Sequence, residues 1–203
     1  MLVCRLIRVV TALFLGLISS SLLGRVIHLE PLVDEIGEAS GESWSSATYL
    51  RRALTLARPG DEIWMKAGFY TPLEGVELVP FRCASFSLPA GVSLFGGFSG
   101  NESNLGERRL SGERQTVLSG DFEGNDVTDL ESGVTRSPDG IIGENARRIL
   151  KISGGGRSTV VDGLTLTGAK RANDFCGVES VLVIQYGSPT IRNCRFVGNY
   201  GEF

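Results

Sequence analysis

Between Ser45 and Pro72 the apolar positions change their spacing from that of a helix to that of a strand. Ala47, Leu50, Ala53, Leu54 and Ala57 recur at helical intervals with Arg51, Arg52 and Arg58 off the stripe, which predicts a helix with one buried side, started by Ser45 or Ser46. Pro59 and Gly60 end it, because proline disfavours helical geometry at Arg58 and glycine tolerates positive φ. A turn opens at Asp61. The period then drops to two, with Ile63, Met65 and Ala67 on one face and Trp64 and Lys66 on the other, so a strand runs to the turn at Gly68.

Beyond Phe81 the texture is different. Of the 27 glycines, 20 lie at or after Gly91, and short apolar alternations stand between clusters of Gly, Asn, Asp and Ser. They span 92–95, 116–118, 149–152, 160–167, 181–184 and 191–196, and no second long helical pattern appears, which predicts an all-β protein. A sandwich would give many short strands too, so internal repetition decides. Shifted by 30 residues, Val161, Gly163, Leu164, Leu166 and Gly168 fall on Ile191, Asn193, Cys194, Phe196 and Gly198. Gly163 and Asn193 are residue types that accept left-handed backbone at a corner, and a repeat of 20 to 30 residues suits stacked coils. The pattern therefore places Leu164, Leu166, Cys194 and Phe196 in one interior.

Four stretches, in order, carry a family resemblance: the helix-to-strand run with Gly60-Asp-Glu-Ile-Trp and Ala67-Gly-Phe-Tyr-Thr-Pro; Gly96-Gly-Phe-Ser-Gly followed by Glu102, Leu105 and Arg108; Thr116-Val-Leu-Ser-Gly-Asp; and Val161-Asp-Gly-Leu-Thr-Leu-Thr-Gly. Together they resemble bacterial right-handed parallel β-helix proteins of the pectin-lyase-like superfold. The ending, with Phe196 and Asn199 in a Phe-x-x-Asn element, is similar to polymorphic outer membrane proteins, whose companion Gly-Gly-Ala motif is missing. The resemblance implies a right-handed parallel β-helix with an N-terminal capping α-helix, in a C-terminally truncated member. An uncovered solenoid end exposes apolar core and strand edge, so terminal units differ from the repeats they close. The resulting expectation is a signal peptide over 1–24, a lead-in over 25–44 and a β-helix domain over 45–203, capped at its start and incomplete at its end.

The first 24 residues set Arg5 and Arg8 before an apolar run from Val9 to Ile18 and then small residues, the layout of a secretory signal peptide cut near Ser21 to Gly24. About ten apolar residues fall short of the roughly twenty that span a bilayer, so no integral membrane segment is expected after cleavage. The formal charge of −3 becomes −5 once Arg5 and Arg8 leave, which excludes a basic field for nucleic acid. Cys83, Cys176 and Cys194 remain in a compartment that permits disulfides; as an odd number with no Cys-x-x-Cys spacing they read as core fillers, a Cys176–Cys194 bridge being the alternative. His28 is the only histidine, so neither a zinc site nor a histidine-based triad can be assembled.

Candidate chemistry is sparse. Asp121, Glu123, Asn125, Asp126 and Asp129 supply hard oxygen donors within nine residues, the chemistry calcium prefers, though the loop lacks the glycine position and closing glutamate of an EF-hand. Calcium is thus the only cofactor considered, against a solvated turn. Gly154-Gly-Gly-Arg-Ser-Thr reads as a turn, since neither the Gly-Lys-Ser/Thr ending nor a following helix is present to hold phosphate. Arg147-Arg148 and Lys170-Arg171 read as solvated edges, and Asp162 and Asp174 are too isolated to assign. Polysaccharide lyases and hydrolases share the resembled fold, but the Asn-x-Asp, Asp-Asp and Gly-His-Gly elements of polygalacturonases are absent. The reading is therefore a secreted or surface-exposed scaffold with a structural or adhesive binding role. Its expected partners are an extracellular polysaccharide or a host or cell-surface protein, with end-to-end self-association through the open last coil. A carbohydrate-active enzyme and a non-functional fragment are the rivals.

Overall fold

A computed structural model describes residues 24–31, 39–72, 83–111, 115–171 and 180–201. The expected signal peptide, Asp174 and Cys176 lie outside the described residues. Among the described residues no helix is long and apolar enough to cross a membrane.

Twelve strands form three sheets in which every strand pair is parallel. They are β1 (Val26–Leu29), β2 (Glu62–Lys66), β3 (Gly68–Tyr70), β4 (Phe86–Leu88), β5 (Ser93–Phe98), β6 (Thr116–Ser119), β7 (Leu150–Ser153), β8 (Val160–Asp162), β9 (Leu164–Thr167), β10 (Leu182–Gln185), β11 (Thr190–Arg192) and β12 (Arg195–Val197). Sheet A has the order β1-β2-β5-β8-β11, sheet B the order β12-β9-β6-β3 and sheet C the order β10-β7-β4. From β4 onward the chain therefore visits sheets C, A and B in the same cyclic order three times.

Register follows the apolar alternation, because a slip of one residue would turn every core side chain outward. In sheet A, Ile27, Ile63, Leu94, Val161 and Ile191 stand in one row. Sheet B aligns Tyr70, Leu118, Leu166 and Phe196, and sheet C aligns Phe86, Leu150 and Leu182 beside Leu88, Ile152 and Ile184. All these rows feed one core. The 30-residue shift is realised as Val161↔Ile191 and Leu166↔Phe196. Each of the two long alternations splits at its corner residue, Gly163 at φ +79° and Asn193 at φ +51°, so 160–167 and 191–196 each cross from sheet A to sheet B.

The earlier layers depart from that period. Between β5 and β6 the chain makes an excursion over residues 99–115, and between β6 and β7 a longer one over 120–149, so Leu94 pairs with Val161 rather than with a residue 30 positions on.

Three expectations about the start of the domain need correction. The lead-in over 25–44 supplies β1, whose Ile27 and Leu29 are buried in the core. The helix α1 spans Leu50–Leu56, with Tyr49 rather than Ser45 or Ser46 at its N-cap. The reason is a competing pairing: Thr48 N–H donates to His28 O (3.0 Å) and Glu30 N–H to Thr48 O (3.0 Å), which holds 47–49 extended against β1. Leu50 and Ala53 then bury the stripe, and α1 packs on β1 and β4, the first strands of sheets A and C. Finally Trp64, placed by periodicity on the outer face with Lys66, is 5% exposed. The first excursion and Trp44 cover that face: Trp64 stacks on Phe98 at 4.7 Å, and Trp44 Nε1–H donates to Glu102 O (2.9 Å).

At the other end, the expected burial of Cys194 and Phe196 is incomplete. Leu164 and Leu166 are 1% exposed, whereas Phe196, in register with Leu166, is 48% exposed and Cys194 is partly buried. Phe196 faces inward but belongs to the last strand of its sheet, so nothing covers its far side among the described residues.

Candidate functional site

The acidic loop opens the second excursion, and its carboxylates point at N–H groups. Asp121 Oδ1 accepts from the backbone N–H of Glu123 (3.2 Å), Gly124 (2.9 Å) and Asn125 (3.3 Å), and Oδ2 from that of Asp126 (2.9 Å). Asp126 is buried: Oδ1 accepts from Ile142 N–H (2.8 Å), and Oδ2 from Thr135 Oγ1–H (3.1 Å) and Asn145 Nδ2–H (2.9 Å). Burial pushes the Asp126 carboxyl above the ordinary range and the charge of Asp121 adds to it, against the lowering effect of the Ile142, Asn145 and Thr135 donors. Asp129 Oδ1 accepts from Ser132 N–H (2.9 Å) and its hydroxyl (2.8 Å), and Oδ2 pairs with Arg136. Glu123 Oε2 accepts from Asn125 Nδ2–H (2.8 Å).

Calcium needs several oxygens whose lone pairs converge on one point. Here Asp121, Glu123, Asn125, Asp126 and Asp129 spend theirs on separate donors, and among the described residues no group of three His, Cys, Asp or Glu is placed to hold a metal. The five residues act as clasps that fold the excursion onto itself. Asn145 Nδ2–H also donates to Gly168 O (2.7 Å), which ties the excursion to the corner after β9.

The first excursion is held by an acid that sequence reading left unassigned. On the outer face of sheet A, His28, Trp64, Phe95, Asp162 and Arg192 stand in register from β1 to β11. Asp162 is fully buried there. Its carboxylate accepts from Arg192 Nε–H (2.7 Å), Asn193 Nδ2–H (2.8 Å) and Arg108, whose guanidinium reaches in from the excursion and lies 5.4 Å above the Phe95 ring. Burial alone would raise this carboxyl; the Asn193, Arg108 and Arg192 hydrogen bonds outweigh it and hold it below the ordinary range. Glu102 does the same on a smaller scale. Burial is again outweighed, here by backbone N–H donors that include Ser99 (2.6 Å) and Asn101 (3.0 Å), and its carboxyl is lowered. The sequence signal for Asp162 is a charged residue at an outward position of an interior strand; the partner Arg108 lies 54 positions away and has no local signature.

Between the second excursion and sheet B lies an open recess of about 500 Å³, lined by Gln115, Asp129, Glu131, Val134, Arg136 and Arg195 among others. Gln115 Oε1 accepts from Thr165 Oγ1–H and Arg195 (both 3.3 Å), so the recess floor is a polar network on the outward face of β9 and β12. The recess carries both signs of charge, and its Asp129 is committed to Ser132 and Arg136, an arrangement suited to polar recognition rather than to proton transfer.

Two further expectations change. Arg147, read as a solvated edge, is 2% exposed, because it sits where the second excursion returns to β7. Lys170 does reach solvent, with Nζ donating to Gly143 O (3.0 Å). Among the cysteines, Cys83 is disulfide-bonded, to a partner outside the described residues, and Cys194 is free, which removes a Cys176–Cys194 bridge and the reading of Cys83 as a core filler. Burial, with the nearby Asp162 charge, pushes the Cys194 thiol up, so it is a poor nucleophile. Comparison with protein-family models, with curated proteins and with solved structures finds no match for this chain.

Proposed function

We propose that the chain is an exported right-handed parallel β-helix, similar to the pectin-lyase-like superfold and to polymorphic outer membrane proteins, that serves as a surface scaffold and binds through its outer faces. The observation that carries this reading is the cyclic visiting of three parallel sheets, with core rows in register and both long excursions clamped on the outside. Such a plan spends its sequence on a rigid frame and on presented loops. The disulfide at Cys83 agrees with an oxidising compartment. The buried acids Asp61, Glu102, Asp121, Asp126 and Asp162 are each occupied by hydrogen-bond donors, which is the behaviour of structural clasps. The recess beside Arg136 and Arg195 is the face assigned to a polar partner, an extracellular polysaccharide or a cell-surface protein.

Export is tested by fractionating cells that express the full chain and sequencing the N-terminus of the exported form. Cleavage near residues 21 to 24 is the expected result, and an intracellular chain that retains Met1 would overturn it. Binding is tested by probing glycan arrays and intact cells with the exported protein beside its Arg136→Ala/Arg195→Ala variant. Loss of capture in the variant is expected; capture unchanged by it, or depolymerisation of a polysaccharide that one carboxylate substitution abolishes, would overturn the reading.

A further inference from the structure

The three sheets end together. β10, β11 and β12 are the last strands of their sheets, and among the described residues none has a neighbour on its far side. Their inward residues Leu182, Ile184, Ile191 and Phe196 are in register with Leu150, Ile152, Val161 and Leu166. One layer earlier these side chains are at most 1% exposed; in the last layer Ile184 is 42% and Phe196 48% exposed, and Leu182 and Ile191 are only partly buried. Position in the pleat is the same, and what differs is that nothing stacks on them. Three parallel edges with unpaired backbone groups around an apolar centre are a template for another β edge. A recess of about 740 Å³ lined by Val181, Phe196 and Tyr200 opens at the same end.

The opposite end is closed by α1, which lies on β1 and β4. A second copy therefore has no open β edge to offer from that end, and head-to-tail stacking is blocked. Two open ends can meet only as like with like, through a two-fold axis, which makes the paired strands antiparallel and closes the assembly at two copies. We propose that this end is occupied by the same end of a second copy, giving a tail-to-tail dimer. An axis through β11 sets Thr190 opposite Arg192 of the second copy, so the exposed Arg192 side chains do not face each other, and it lays β12 with Phe196 along β10 with Leu182 and Ile184 of the second copy. Stable interfaces take about 800 Å² from each partner, and an end three short strands wide sits at the low side of that range, so the dimer is reversible and concentration-dependent. This inference stands on the strand edges and is independent of the surface role proposed above.

Sedimentation velocity on the exported protein over a wide concentration range tests it, together with amide exchange at the two extremes. The expected result is a monomer–dimer equilibrium without larger species, with protection of β10, β11 and β12 rising with concentration while that of β4 and β5 does not. Phe196→Lys and Ile184→Lys, each at a half-exposed position, should weaken the dimer by at least about tenfold, as central interface residues do, with far-UV circular dichroism unchanged. A monomer at every concentration, an open-ended ladder of oligomers, or a dimer indifferent to both folded variants would overturn the proposal.

Discussion

Replacing Asp162 by asparagine should cost about 3–5 kcal/mol, the range for removing one member of a buried ion pair. The magnitude follows from who is left behind. Asp162 is fully buried and the Arg108 side chain is 9% exposed, so Arg108 would keep its charge in the interior facing an amide that cannot neutralise it. Arg192 is 52% exposed, and its share is that of a surface pair, up to about 1 kcal/mol. Thermal unfolding of a chain this size moves by roughly 2–4 °C per kcal/mol, so the midpoint should fall by about 6–20 °C. The pH dependence has a definite sign. The folded carboxyl lies below the ordinary range because the Asn193, Arg108 and Arg192 donors outweigh burial. Its contribution is therefore complete above the ordinary aspartate pKa and is lost as the pH falls through the folded value. The gap between parent and Asp162→Asn should accordingly close in acid. Urea unfolding of parent, Asp162→Asn, Arg192→Gln and the double variant apportions the terms. A loss under about 1 kcal/mol at neutral pH, or a gap that does not narrow in acid, would refute the reasoning.

At protein concentrations low enough to keep the chain monomeric, Leu166→Ala should cost about 2–5 kcal/mol and Phe196→Ala about 1–2 kcal/mol, although the two are in register, because only the first leaves an enclosed cavity; equilibrium denaturation compares them, and equal costs would count against the open end. Gly163→Ala should lose about 1–3 kcal/mol, since φ is +79° and the added Cβ would lie 2.5 Å from Leu110 Cδ2; an unchanged melting temperature would contradict this. Millimolar calcium should leave the melting temperature where it is, while Asp121→Ala lowers stability by about 1–3 kcal/mol through the N–H groups it strands; a calcium-dependent rise in the melt that Asp121→Ala removes would restore the cation reading.

How much was legible divides along the range of the forces involved. Backbone requirements are local, and they are written locally. The alternation of 160–167 and 191–196, the glycine and asparagine at their corners and the 30-residue shift are enough to give parallel strands in register and to place Val161 over Ile191 and Leu166 over Phe196. The helix is legible for the same reason, but its first residue is not: serines at 45 and 46 are as good a cap as any, and only the pairing of Thr48 with β1, 20 residues upstream, keeps 47–49 out of it. Coverage belongs to the tertiary structure. Periodicity tells which face Trp64 takes, not that the excursion of 99–115 folds back over that face; it turns Phe196 inward, not that no strand follows to cover it. Charge pairing across chain distance is equally silent in the sequence. Asp162 gains its role from Arg108 at 54 positions' remove, and the acidic loop from 121 to 129 has the composition of a cation site until the fold turns its oxygens onto N–H donors. A sequence specifies which groups must be satisfied; which partner satisfies them is decided when the layers stack.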